Sequence, residues 1–449
     1  MSRLFGTDGV RGVANTELTP EIAFSLGRAV AVVLAAEAER SRPILVGRDT
    51  RCSGTMLEAA LTAGITSAGR DVVSVGILPT PGVAMVAVRE GAAAAAMISA
   101  SHNPVADNGI KFFGADGFKL SDATEDAIEA AMHDDTRPRP TGIDVGQARI
   151  AQNLGRHYYQ ALQDAGSDLR GIEVVVDAAY GAAYAVGPYV LRKLGASVHE
   201  LHCANDGARI NVESGATHMG ALQHEVRALR AHGHERVIGI AFDGDADRSL
   251  FVDETGAIIT GDHVLLIIAS AMAELGTLAH RTVAGTVMAN VGLERALAAR
   301  DIRLERTAVG DRYVLERMRE HGYTLGGEQS GHVIDLARNT TGDGPMTAVT
   351  LLSILARSGQ RLHDAASDLV IAPQVLVNVR VASRGAMELP AVREAIDATN
   401  EALGSGGRLL VRASGTEPLI RVMIEGDDAT TIHTLANNLA TKIATLAQV

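Results

Sequence analysis

Apolar positions recur along this chain in two alternating periods. Behind Thr19-Pro20-Glu21 stand a cap residue, a proline at the first helical position and an acid in the first turn. They predict a helix reaching about Arg40. PILVG (43–47) is a short apolar run and predicts a strand. Ser53 is placed to cap a second helix, DVVSVGI (71–77) predicts a second strand, PTPGVAMVAVRE a helix and AAAAMIS a further strand. A helix over 122–133, capped by Ser121, completes the round, and the charged, proline-bearing DDTRPRPTG (134–142) predicts a connection. The alternation then repeats through IEVVVDAAYGAA (172–183), ASVHELH, a helix over 218–232 and RVIGIAF (236–242). A third round runs through a helix over 262–274, TVAGTV (282–287), a helix over 292–300 and shorter elements to about 360. Strands alternating with helices predict α/β units on largely parallel sheets. The last segment differs: VLVNVRV, a helix over 389–403, GRLLVRAS, LIRVMIEG and a long helix from Asp428 predict a smaller α+β unit. The expected fold is three consecutive α/β mixed-sheet domains and a C-terminal α+β domain, divided as 1–145, 146–254, 255–365 and 366–449.

Composition narrows the class. A chain of 449 residues needs several cores, and 47% hydrophobic with 21% charged residues describes a globular protein. The net charge of −12 argues against a general nucleic-acid binder, which needs a basic face, but leaves room for a local basic pocket. Cys52 and Cys203 form neither a metal motif nor a disulfide framework, which suits a reducing compartment. MSRLFGTDGVRG turns polar and glycine-rich at once, and no apolar stretch reaches the ~20 residues of a membrane span. A cytoplasmic protein without a signal peptide is expected, and monomer and homodimer stay open.

Four stretches carry chemistry. In AAMISASHNP (95–104) an apolar strand breaks into Ser101-His102-Asn-Pro, which sets a serine at the lip of a sheet. In FDGDADR (242–248), Asp243, Asp245 and Asp247 alternate directly after an apolar strand. Alternate side chains of extended backbone share one side, and three carboxylates so placed require a cation. Hard oxygen donors select Mg²⁺, Mn²⁺ or Ca²⁺. The EF-hand spacing to Glu254 fails, because Arg248 stands where the loop needs glycine and a strand precedes it. GGEQSGH (326–332) offers Glu328 and Ser330 for sugar hydroxyls and His332 as an orienting or acid/base group. RASGTEPLIR (412–421) gathers Arg412, Ser414, Gly415, Thr416 and Arg421, a set suited to a phosphate dianion. Any one of these stretches is also what an ordinary surface turn looks like. GTDGVRG (6–12), NGIKFF (108–113) and GRDTRCSG (47–54) add Arg11, Lys111, Arg48, Asp49 and Arg51, and GDR (310–312) opens a helix. His157, His202 and His218 have no partner motif and read as structural or exposed.

Taken in order, the four stretches resemble the loops of the α-D-phosphohexomutase superfamily over the whole chain. SASHNP resembles its phosphoserine loop, DGDADR its metal loop, GEQSGH its sugar loop and RASGTEP its phosphate loop. Gln329, the GTDGVRG start and DNGIKFF resemble the glucosamine branch, where the phosphomannomutase/phosphoglucomutase branch typically has methionine in the sugar loop. The resemblance implies four domains around a central cleft. It implies an isomerase that interconverts glucosamine 6-phosphate and glucosamine 1-phosphate on the route to UDP-N-acetylglucosamine and cell-wall precursors. It implies Mg²⁺ on Asp243, Asp245, Asp247 and the phosphate of Ser101, and a hexose or glucosamine 1,6-bisphosphate as activator or intermediate. Ser101, Lys111, Arg11, His102, Arg248 and His332 are then the catalytic set. Glu328, Ser330, Arg412, Ser414, Gly415, Thr416 and Arg421 bind the sugar phosphate. The neighbouring phosphomannomutase/phosphoglucomutase activity is the alternative. A non-catalytic sugar-phosphate binder would lack the serine or a metal ligand, and neither is missing.

Overall fold

The computed structural model describes residues 3–6, 8–34, 42–134, 139–413 and 419–447. The far end of the first expected helix and part of the 134–142 connection lie outside these residues. Among them are four sheets. The first comprises, in chain order, β1 (Val10–Val13), α1 (Pro20–Val33), β2 (Ile44–Arg48), α2 (Gly54–Ser67), β3 (Val72–Ile77), α3 (Thr80–Arg89), β4 (Ala94–Ile98), β5 (Asp107–Gly114), α4 (Asp122–Met132) and β6 (Ala148–Ile150). Its order is β1-β5-β4-β2-β3-β6; β4, β2, β3 and β6 run parallel, and β5 is antiparallel to both neighbours. β6 pairs with β3, so this sheet reaches Ile150.

Thr19 caps α1 by accepting from Ile22 N at 3.4 Å, and Ser121 caps α4 by accepting from Thr124 N at 3.3 Å. Ser53 does not cap α2. Its own backbone is helical (φ −73°, ψ −12°), and its hydroxyl accepts from the buried amide of Asn108 at 2.9 Å. A buried amide must be satisfied, and here that need outranks the cap.

The second sheet follows α5 (Arg156–Ala165) with β7 (Glu173–Asp177), α6 (Val186–Lys193), β8 (Ser197–Leu201), α7 (Gly220–Ala231), β9 (Val237–Phe242), β10 (Ser249–Val252) and β11 (Ile258–Ile259), in the order β11-β10-β9-β7-β8. The third has α8 (Gly261–Glu274), β12 (Thr282–Thr286), α9 (Val291–Ala298), β13 (Arg303–Thr307), α10 (Asp311–His321), β14 (Leu325–Gly327), β15 (Val333–Asp335), α11 (Gly344–Ser358) and α12 (Leu362–Ala366), in the order β13-β12-β14-β15. The fourth is the antiparallel sheet β16-β18-β17, from β16 (Gln374–Arg380), β17 (Gly407–Ala413) and β18 (Leu419–Gly426), with α13 (Pro390–Leu403) and α14 (Ala429–Leu446).

One apolar core runs through the first three units, from Leu45 and Phe113 through Tyr158, Val176 and Phe242 to Leu265 and Leu352. The fourth unit has its own core around Val392, Val422, Ile424 and Leu439. It joins the third through Glu425, which accepts from Val291 N at 3.2 Å and Asn290 Nδ2 at 3.4 Å, and through Arg295–Asp427 at 2.5 Å. In every sheet the same kind of connection carries a motif singled out above. An antiparallel neighbour returns beside the strand it follows: β4 to β5, β9 to β10, β14 to β15 and β17 to β18.

Candidate active site

β4 is buried along its whole length and delivers Ser99 and Ser101 at its end. Ser101 has φ +51°, in the left-handed region that side chains seldom occupy. Arg51 holds it there. The fully buried guanidinium donates to the carbonyls of Ser101 (2.9 Å), Asn103 (2.8 Å), Pro104 (2.5 Å) and Asp107 (2.9 Å) and to Asp49 Oδ2 (3.0 Å). Asp49 also accepts from Ser99 Oγ at 2.7 Å, and burial raises its carboxyl to about 6 although Arg51 pulls it down. The Ser101 hydroxyl donates to Asp243 Oδ2 at 2.6 Å and lies 3.3 Å from His102 Nδ1. Burial, then the charges of Arg248 and Arg11, push the His102 imidazole down.

The second loop meets the first edge on. Asn211 Nδ2 donates to the Ser101 carbonyl at 2.8 Å, and a Cβ on Gly244 would sit 2.4 Å from that oxygen, so only glycine permits this approach. Asp243, Asp245 and Asp247 are buried, with ligand atoms within 4.8 Å of one another. Asp245 Oδ1 and Asp247 Oδ1 are buried without a hydrogen-bond partner, which is what carboxylates arranged for a hard cation look like. Burial, then Asp247 and Asp245, raise Asp243 to about 8. Glu254 is no calcium ligand: it accepts from Leu362 N at 2.9 Å and His363 N at 3.0 Å at the start of α12.

Around the triplet runs a ring of alternating charge drawn from three units. Buried Lys111 lies 2.9 Å from Asp245, 2.9 Å from Asp8 and 3.6 Å from Asp247. Burial disfavours its ammonium, but these carboxylates outweigh it and hold the pKa above the usual lysine value. Lys119 bridges Asp8 (2.7 Å) and Asp311 (2.5 Å). His332, also buried, lies between Asp311 (3.4 Å) and Asp247 (3.7 Å). Arg11 pairs with Asp8 and donates to Asn103 Oδ1 at 3.2 Å. Arg248 reaches Asp247 at 3.8 Å, and its backbone N–H donates to Asp243 at 3.3 Å.

The third loop joins the second through Ser249 N, which donates to the Gly331 carbonyl at 3.1 Å. Glu328 is half-buried, accepting from Gly310 N at 3.2 Å and from Ser330 Oγ at 3.4 Å. In the fourth unit Arg412 and Arg421 stand directly opposite each other across β17 and β18. Burial and the neighbouring Arg421 push the Arg412 guanidinium below its usual value, an arrangement that favours an anion between them. Arg412 makes no hydrogen bond to the first three loops among the described residues. Ser414, Gly415 and Thr416 lie outside the described residues.

Sequence reasoning overlooked Asp8, Thr80, Asn211, Lys119 and Asp311. Thr80 donates to Asp245 Oδ2 at 2.6 Å. Asp8 and Asp311 stood inside glycine-marked stretches, GTDGVRG and GDR, which was the available signal; Lys119 had none. Of the histidines read as structural or exposed, His157 lies 3.1 Å from Glu90 and His202 3.0 Å from Asp177.

A serine held at a strand end beside three carboxylates, in a cage of paired cations, is an arrangement suited to phosphoryl transfer. The chain belongs to the phosphoglucomutase/phosphomannomutase family: it matches alpha/beta/alpha domains I, II and III over residues 2–139, 156–256 and 260–371 and the C-terminal domain over 376–442. Within that family it is 51% identical over 432 residues to the phosphoglucosamine mutase of Moorella thermoacetica, covering 95% of this chain and 96% of that one. It is 52% identical over 453 residues to the phosphoglucosamine mutase of Symbiobacterium thermophilum, covering both chains completely. A phosphoglucomutase/phosphomannomutase family protein from Burkholderia thailandensis shares the fold with a TM-score of 0.84 at 24% identity, over 99% of this chain and 98% of that one. The N-acetylphosphoglucosamine mutase of Aspergillus fumigatus, solved with GlcNAc-6P and magnesium, shares it with a TM-score of 0.68 at 18% identity, over 99% and 96%.

Proposed function

We propose that this chain interconverts glucosamine 6-phosphate and glucosamine 1-phosphate by passing a phosphoryl group through Ser101. The observation that carries the reading is the 2.6 Å hydrogen bond from the Ser101 hydroxyl to Asp243, within the buried aspartate triplet. Relatives about half identical over their full length are phosphoglucosamine mutases, which supports the glucosamine branch.

In the proposed cycle the bond from phosphorus to Ser101 Oγ breaks and a bond to a sugar hydroxyl forms, which gives a 1,6-bisphosphate. The sugar turns over and returns its other phosphate to Ser101. A phosphoserine carries ~2 negative charges, which beside three buried carboxylates is prohibitive unless a divalent cation enters with it. Asp243, Asp245 and Asp247 would hold Mg²⁺, and the ion would supply charge neutralisation at the transferring phosphoryl. Lys111, or in its place His332, would manage the proton of the reacting hydroxyl; both lie against Asp247, Lys111 at 3.6 Å and His332 at 3.7 Å. Arg11, His102 and Arg248 surround the transferred group. Glu328 and Ser330 read sugar hydroxyls. Arg412, Arg421 and the Ser414-Gly415-Thr416 loop grip the non-reacting phosphate at either end of the sugar. The division at residues 145, 254 and 365 belongs to this proposal; the four family spans support it, with β6 pairing across the first boundary.

The test is turnover of glucosamine 6-phosphate with catalytic bisphosphate and Mg²⁺, run beside glucose and mannose phosphates. Ser101→Ala is expected to abolish turnover with an unchanged circular dichroism spectrum, and to remove any phosphate-sized increment from the intact mass. Retained activity overturns the role of Ser101, and preference for mannose 1-phosphate overturns the branch.

A further inference from the structure

A cavity of about 670 Å³ lies apart from Ser101, between β3 and the helices α5 and α6, within the size range of small-molecule sites. Its floor is apolar, made by Val75, Ile77 and Leu78 at the end of β3. Its wall is aromatic. The chain has seven tyrosines and no tryptophan, and three of the seven, Tyr159, Tyr184 and Tyr189, line this cavity. The rings of Tyr159 and Tyr189 meet edge to face, with centroids 5.4 Å apart. α5 explains the division of labour: Tyr158 and Leu162 are buried in the core, while Arg156, Tyr159, Gln160 and Gln163, at spacings of three and four, present the other face.

The cations differ in availability. Arg48 is engaged by Glu58 at 2.9 Å. Arg156 is exposed and makes no ion pair or hydrogen bond among the described residues. A second cavity of about 530 Å³ shares Tyr184 and Tyr189 and adds Lys193, whose ammonium lies 5.5 Å over the Tyr189 ring.

We propose that this groove binds a nucleotide carrying at least one phosphate. Tyrosine faces accept a flat heterocycle. The amides of Gln152 and Asn153 offer both donors and acceptors to its polar edge, while Gln160 Nε2 donates to Asp164 Oδ1 at 2.7 Å. The Arg156 guanidinium suits a phosphate. A sugar phosphate would also engage the arginine and the amides; the tyrosine faces favour a planar base over a puckered ring. The floor runs directly into the catalytic loops: Leu78 precedes Pro79 and Thr80, which donates to Asp245 at 2.6 Å, and Arg48 precedes Asp49. These neighbours give occupation a path to the metal triplet, and the role proposed for the site is that of an effector.

The test is calorimetric titration of the full chain with UDP, ADP, GDP and CDP, in saturating glucose 1,6-bisphosphate and Mg²⁺. Saturable binding of at least one below about 1 mM is expected, weakened about tenfold or more by Arg156→Glu. Arg156→Glu should leave nucleotide-free turnover unchanged, and the bound nucleotide should alter wild-type kcat. Absence of binding, equal affinity in Arg156→Glu, an unmoved kcat or displacement by the bisphosphate overturns the proposal. A change in oligomeric mass in Tyr184→Ala also overturns it, because the groove would then be an interface between copies.

Discussion

Replacing Arg51 by methionine should show how the Ser101 loop is held. The substitution removes the guanidinium from four carbonyl oxygens and from Asp49 in a fully buried setting. Two of those carbonyls, Ser101 and Asn103, keep Asn211 at 2.8 and 3.1 Å, so the larger loss is the counter-charge of Asp49. Breaking a buried pair from one side costs about 3–5 kcal/mol while the remaining charge persists. Asp49 has a route out, because its carboxyl already sits at about 6, above the ordinary 3.8. A raised folded-state pKa means that the folded form binds the proton more tightly. The stability this brings is full below the unfolded value and is lost as pH rises through about 6. Without Arg51 the folded pKa rises further, so the loss extends to higher pH. The deficit of Arg51→Met should be about 3–5 kcal/mol at pH 8 and shrink to about 1–2 kcal/mol at pH 5, where only hydrogen bonds are missing. Thermal unfolding of wild type, Arg51→Met and Asp49→Asn/Arg51→Met at both pH values measures this, with a fall of about 4–6 °C expected at pH 8 for a unit of the size spanned by the shared core. The double variant should recover much of the deficit at pH 8. Equal deficits at both pH values, or no recovery in the double variant, would refute the account.

Gly244→Ala should cut kcat by about 10²-fold, because its Cβ would lie 2.4 Å from the Ser101 carbonyl and push the two loops apart; a change below twofold contradicts the close approach. Asp245→Asn removes a carboxylate that also serves Lys111 and Thr80, so the Mg²⁺ concentration for half-maximal rate should rise and the rate fall steeply. An unchanged Mg²⁺ titration speaks against the triplet. Arg412→Met should raise KM for the sugar phosphate by about tenfold without lowering the melting temperature, since it relieves like charges placed opposite each other on β17 and β18. A lower melting temperature with KM unmoved would make Arg412 structural.

Much of the molecule was legible along the chain because its causes are local. Apolar periodicity sets helix or strand within a few residues, so the alternating α/β units and the distinct last unit could be read directly. Asp243, Asp245 and Asp247 were readable as a set from their spacing behind an apolar strand, but they converge through a turn and not on extended backbone: Ala246 stands at φ +55°, and its N–H donates to the Asp243 carbonyl at 3.1 Å. Ser53 shows the limit of local reading, since the amide that claims its hydroxyl comes from β5. The pairing of Ser101 with Asp243 joins residues 142 positions apart, and it depends on β4 and β9 ending at one place with Gly244 between them. Asp8, Lys119 and Asp311 are ordinary surface residues in the sequence. They become a charge ring only when the first and third units bring them, half-buried, against the triplet of the second, because electrostatic coupling depends on distance and local dielectric. The same holds for the three tyrosines around the nucleotide groove. The chain by itself determined the class of fold and the chemistry of each loop. The tertiary structure decided which loops meet, what holds Ser101 in a left-handed backbone, and which charges are paired.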